Sequence, residues 1–149
     1  IEYTKGNILD SDAAYVVVPV NCVGRPGKGL ARQWADAAYE IVVRTYINAC
    51  LNGSLLPGHI LTFADSSYIL AATKDHWIHP SRYEWVESIC EDLCYFAITQ
   101  RIWGHEDEKD NTIAVPKLGC GWGRLEWARV HDIMAYHLVQ SPTRFLIYI

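Results

Sequence analysis

The segment Ala14–Val20 (AYVVVPV) is a continuous apolar run, rich in β-branched residues. A strand with one face in water alternates polar and apolar side chains. A strand without alternation must be covered on both faces, as in a parallel sheet sandwiched by helices. The remaining pattern fits that demand. Ile60–Phe63, Tyr68–Ala71, Thr112–Val115 and Arg144–Tyr148 read as further short strands, and Glu2–Thr4 as an edge strand. Between them lie helical patterns over Gly29–Ala38, Ala37–Leu51, Ser81–Arg101 and Leu125–Leu138. Asn52-Gly53 is a stop signal. Ser81 is the expected N-cap of the third pattern, with Glu84 as its capping-box partner. Strands alternating with helices predict an α/β fold, with helices on both faces of a mainly parallel sheet. The acidic stretch His105–Asp110 reads as a solvated loop.

At 149 residues, half of them hydrophobic and a fifth charged, the chain has the composition of one folded domain. We therefore expect a single domain over residues 1–149 and a monomer. The net charge of −4 gives no global attraction to nucleic acid, so a DNA partner requires local cations. No apolar run approaches the ~20 residues of a membrane span and no signal peptide opens the chain, so a cytoplasmic protein is expected. The start at Ile1 rather than Met is expected of a trimmed or incomplete sequence. Cys90 and Cys94 have one-face helical spacing, not that of a C-x-x-C pair. With Cys22, Cys50 and Cys120 they make an odd count, expected to be reduced thiols with no metal site and no cofactor.

In such a sheet a ligand is expected at the carboxyl ends of the strands. The unusual residues fall there. Asn21 through Ala31 (NCVGRPGKGLA) puts three glycines between a strand and a helix, where backbone approaches a ligand closely and a helix N-terminus faces an anion. It matches neither a Walker A nor a G-x-G-x-x-G pattern. Val115 through Gly123 (VPKLGCGWG) is a candidate nest of inward-pointing N–H groups. Either segment alone also fits a loop with turn glycines; the pair suggests a diphosphate clamped from both sides. Nothing evident activates Cys120 as a nucleophile, and a small residue in a tight loop accounts for it. A third segment, Ala72-Thr73-Lys74-Asp75-His76-Trp77, follows a strand. Taken alone Lys74 is a surface charge, but in a desolvated pocket its amine becomes a nucleophile or proton donor. His76 and His79, three apart before Pro80, do not form a convincing metal pair.

Together and in this order the segments resemble the macrodomain family. Gly6-Asn7-Ile8-Leu9 is similar to its G-[DN]-[IL]-[LF] opening, Asn21–Leu30 to its N-x-x-G-x-x-G-x-G-[IL] loop, and Val115–Gly123 to its P-x-L-G-C-G-x-G loop. Thr73–Trp77 followed by Ser81-Arg82-Tyr83-Glu84-Trp85 resembles the T-K-x-H-W…S-[RK]-x-E-[WY] segment of DarG-type macrodomains, antitoxin enzymes that remove ADP-ribose from thymidine in DNA. Gly123–Trp127 is similar to the segment closing their phosphate loop.

The resemblance implies a three-layer α/β/α macrodomain with a mixed, mostly parallel sheet of about six strands. It implies an enzyme that hydrolyses the N-glycosidic bond of ADP-ribosylated thymidine, with ADP-ribosylated single-stranded DNA as substrate and a DNA ADP-ribosyltransferase toxin as partner. Carried over by position, Asn7 and Ile8 would contact the adenine and Asn21 the distal ribose. The backbone of Gly27, Lys28, Gly29 and Leu30, with that of Leu118, Gly119, Cys120, Gly121, Trp122 and Gly123, would hold the diphosphate and that ribose. Thr73 would line the site, and Lys74 would act at the anomeric carbon as general acid or transient nucleophile, with Asn21 as its catalytic companion. Arg25, Lys28, Lys74, Arg82 and Arg124 are candidate rim cations. Two departures matter. Ala72 stands where the family usually has proline. Gly121-Trp122-Gly123 lacks the aspartate with which related glutamate-directed enzymes pair their lysine, which favours a nucleobase substrate. DarG-type antitoxins also carry a C-terminal toxin-binding domain, and nothing of that length follows here. The same loops are expected of an ADP-ribose reader without catalysis, or of a hydrolase of ADP-ribosyl protein or ADP-ribose 1″-phosphate.

Overall fold

The computed structural model describes all residues, 1–149. Its strands are β1 (Glu2–Thr4), β2 (Tyr15–Asn21), β3 (Ile60–Thr62), β4 (Tyr68–Lys74), β5 (Thr112–Pro116) and β6 (Arg144–Tyr148). They form one sheet in the order β1-β6-β5-β2-β4-β3. Every pair is parallel except β3 with β4. The helices are α1 (Leu30–Ala37), α2 (Glu40–Leu51), α3 (Tyr83–Thr99) and α4 (Trp127–Leu138).

The apolar run of β2 explains the layering. Val17 faces a core formed with Ile69, Ile113 and the buried stripe of α3 (Val86, Ile89, Cys90, Leu93, Ala97), joined by Val130 and Met134 of α4. Val16, Val18 and Val20 point the other way, into a core with Trp34 of α1 and Tyr46 and Ala49 of α2. Successive strand residues alternate faces, so a run without alternation feeds both cores. The result is a three-layer α/β/α fold with a mixed, mostly parallel six-stranded sheet, as expected. No helix is long and apolar enough to cross a membrane.

Three readings change. Ser81 does not cap α3: the cap position is Arg82, without a side-chain cap bond, and Ser81 is buried with its hydroxyl unpartnered. Its N–H is drawn instead to the Gly123 carbonyl, 2.9 Å away, and Glu84 faces Arg82 at 3.6 Å rather than closing a capping box. β4 runs past Ala71 to Lys74, because Thr73 and Lys74 continue the ladder beside β2. The acidic stretch is solvent-exposed, but its end folds into a 3₁₀ turn over Glu108–Asn111, whose first N–H groups are capped by Asp107 Oδ1 accepting from Lys109 N at 3.2 Å.

Candidate active site

Five parallel strands place their carboxyl ends side by side, in the order β1, β6, β5, β2, β4. Four strand spacings of ~4.8 Å make this edge about 19 Å long. The chain leaves β2 toward α1 and β5 toward α4, on opposite faces, so a crevice opens between their loops. A cleft of about 1030 Å³ runs along this edge. Strand order therefore orders the cleft. Asn7 and Ile8 follow β1, Tyr148 ends β6, the two glycine-rich loops follow β5 and β2, and Thr73, Lys74 and Trp77 lie at β4.

The middle of the cleft is a field of unused backbone donors. Gly29, at φ +70°, opens α1 without a side-chain cap. A β-carbon is disfavoured in that conformation, and the open helix end is left for an anion. The N–H groups of Gly27, Lys28 and Gly29 bond to no protein acceptor, and neither do those of Gly121, Trp122 and Gly123. Arg25, Lys28, Lys74, Lys117 and Arg124 line the cleft, and no aspartate or glutamate does. None of the five is in an ion pair. In a chain of net charge −4 this is a strong local asymmetry, and it selects an anionic ligand. Trp122 reaches across from the second loop. Lys28 Nζ lies 5.6 Å from its ring centroid, so the two loops meet over the crevice.

Asn21 is held from below. Its Oδ1 accepts from Val23 N at 3.0 Å and from the Tyr46 hydroxyl at 3.1 Å, and its Nδ2 donates to the Arg25 carbonyl at 2.6 Å. The Tyr46 hydroxyl lies 2.8 Å from the Asn21 carbonyl. Both Tyr46 and Asn21 are buried, and burial pushes the Tyr46 hydroxyl pKa up, so it stays a neutral donor. Tyr46→Phe is expected to cost about 1–2 kcal/mol, since the Asn21 acceptors lose a buried partner. In thermal unfolding that is a drop of roughly 3–8 °C. Unchanged stability would mean that this bond does not hold the loop.

At the β4 end the register slips. Val20 pairs with Ala72, but Asn21 pairs with Lys74, so Thr73 is the extra residue of a bulge. Such a bulge re-aims the side chain that follows it, and here it sets Lys74 opposite Asn21. Lys74 Nζ donates to the Trp77 carbonyl at 3.2 Å. Burial, reinforced by the Arg124 guanidinium, holds its pKa below the ordinary 10.5. The histidines serve the turn: His79 Nδ1 lies 3.1 Å from Asp75 Oδ1, and the Ile78 N–H lies 3.2 Å from His76 Nδ1.

Of the residues expected at the site, Asn7, Ile8, Asn21, Gly27, Lys28, Gly29, Leu30, Thr73, Lys74, Gly119, Cys120, Gly121, Trp122 and Gly123 all line the cleft. Leu118 does not: its side chain is fully buried in the core beneath α3 and α4. Burial raises the Cys120 thiol pKa, against activation as a nucleophile. Lys117, Tyr148 and Ile78 also line the cleft and carried no signal of their own in the sequence. Glu87, Glu91 and His137, whose ligand atoms lie within 4.8 Å of one another, cluster on α3 and α4 rather than in the cleft.

An α/β/α sandwich with two glycine-rich loops clamping the carboxyl edge of its sheet defines a macrodomain. No family model matches the chain. The DarG macrodomain of Thermus aquaticus superposes with a TM-score of 0.86 at 30% identity, covering 99% of this chain and 97% of that one. The Mycobacterium tuberculosis DarG macrodomain gives 0.87 at 28% identity, covering 99% and 95%. Thermosipho africanus DarTG, solved in complex with ADP-ribose, gives 0.82 at 27% identity, covering 98% of this chain and 40% of that one. The chain belongs to the DarG macrodomain family. The full-length Thermus aquaticus relative, 34% identical over 136 residues and 87% of this chain, is named a DNA ADP-ribosyl glycohydrolase. The Thermosipho africanus relative is named a fusion of a DNA ADP-ribosyl transferase and such a glycohydrolase. The chain spans 35% to 42% of the curated relatives it matches.

Proposed function

We propose that this macrodomain binds ADP-ribose along the cleft and hydrolyses the N-glycosidic bond that joins it to thymidine in single-stranded DNA. The observation that carries the reading is the placement of Lys74 opposite Asn21, at the far end of a cleft whose middle is built for a diphosphate. The adenosine lies over Asn7, Ile8 and Tyr148. The diphosphate sits between the unpaired N–H groups of the two loops, and the distal ribose reaches Asn21 and Lys74. Relatives named for this activity, one of them fused to the transferase that writes the mark, support the same reading. The cognate partner is a DNA ADP-ribosyltransferase, and the protein works as a cytoplasmic monomer.

Lys74 acts as the general acid. Its ammonium proton passes to the departing thymine nitrogen as the bond to C1″ breaks; water then adds at C1″ and gives up a proton, through solvent, to the amine now left neutral. A lowered pKa makes it the stronger acid. A lysyl adduct on the opened sugar would require a neutral amine and a base to take its proton, and no carboxylate lines the cleft. The pH profile of kcat/KM for ADP-ribose release from a modified oligonucleotide tests the assignment. As an acid, Lys74 is active below its folded pKa, so the rate falls as pH rises through that value, below 10.5. A rate that climbs through the same window instead assigns Lys74 as nucleophile.

A further inference from the structure

Trp77 is half exposed and lines the β4 end of the cleft with Ile78. It belongs to neither core, and its one aromatic neighbour is the His76 ring, 5.3 Å away at 34°. Its backbone carbonyl accepts the Lys74 amine. A half-exposed indole thus lines the cleft on the residue whose backbone holds the proposed catalytic amine.

We propose that Trp77 is the stacking platform for the thymine base, so the cleft recognises the modified nucleobase as well as ADP-ribose. This rests on the glycohydrolase reading and names the feature that selects DNA. Unpaired bases bind proteins by stacking on aromatic side chains with cations tracking the phosphates, and Lys74 and Arg124 supply the nearby cations. The platform is pre-organised. Asp75 Oδ1 accepts from His76 N at 2.7 Å, and His79 N donates to the His76 carbonyl at 3.1 Å, so the turn carrying Trp77 is closed by its own bonds. Farther along, Ser81 N ties the same segment to Gly123 of the phosphate loop at 2.9 Å.

Binding is measured without turnover in the Lys74→Met background, by anisotropy of a single-stranded oligonucleotide carrying one ADP-ribosylated thymidine and by calorimetry of free ADP-ribose. Adding Trp77→Ala is expected to weaken the oligonucleotide about tenfold or more and free ADP-ribose by less than about threefold, with Trp77→Phe keeping most of the affinity. Equal weakening of both ligands, or of neither, overturns the platform. Cleavage by the wild type is scored separately. If it never cleaves yet Trp77→Ala still selectively weakens the oligonucleotide, the platform stands and the hydrolase reading falls.

Discussion

Replacing Lys74 by methionine is expected to slow ADP-ribose release from modified DNA by about a hundredfold to ten-thousandfold, the usual reach of a positioned general acid. Affinity for free ADP-ribose should stay within a few-fold of wild type, because the unpaired backbone N–H groups proposed to hold the diphosphate are left in place by the substitution. Stability separates this from a structural defect. Burial and Arg124 make the folded state bind the Lys74 proton less tightly than the unfolded chain. The charge therefore opposes folding below the folded pKa, and the penalty disappears as pH rises through the window up to 10.5. Methionine removes that charge, so at neutral pH the variant is expected to melt at or above the wild-type temperature. An inactive variant that melts well below wild type would point to a scaffolding lysine.

The second large effect is expected in the phosphate loop. A β-carbon on Gly123 would collide with the Gly119 carbonyl oxygen and with Ser81 Oγ, and would sit 2.8 Å from the Gly119 carbonyl carbon. Two of these three atoms are backbone, and the third belongs to a buried side chain. Gly123→Ala must push the loop outward. Overpacking of this kind costs about 1–3 kcal/mol, and the unpaired N–H groups of Gly121, Trp122 and Gly123, proposed to meet the diphosphate, are displaced. ADP-ribose affinity should fall by tenfold or more in calorimetry. Gly121→Ala is the control, since a β-carbon there meets nothing within 4 Å. If both alanines bind ADP-ribose like the wild type, the nest does not hold the diphosphate.

Both glycine-rich loops were legible in the sequence because each joins a β-branched run to a helical pattern. Local chemistry there has few solutions, and the residues expected to bind fell along the cleft. Leu118 lies outside the cleft lining because its side chain completes the core beneath α3 and α4; a motif does not say which side chains turn inward. Ser81 was misread for a related reason. Serine three residues before glutamate matches a capping box, but the competing Gly123 carbonyl comes from forty residues away. Tyr148 stands in the cleft only because β6 lies beside β5, and strand order is not written in its segment. The bulge at Thr73 was likewise invisible, as it arises from a register between two strands fifty residues apart. The family resemblance supplied the role of Lys74; the surrounding geometry supplies the reason it suits that role.

The most direct test incubates a single-stranded oligonucleotide bearing one ADP-ribosylated thymidine with the wild-type protein and reads the products by mass spectrometry. Free ADP-ribose and an oligonucleotide restored to unmodified thymidine are expected, with little release from ADP-ribosyl protein or ADP-ribose 1″-phosphate assayed in parallel. If the protein instead binds the modified strand tightly and returns it intact, it is a reader of ADP-ribose and not a hydrolase.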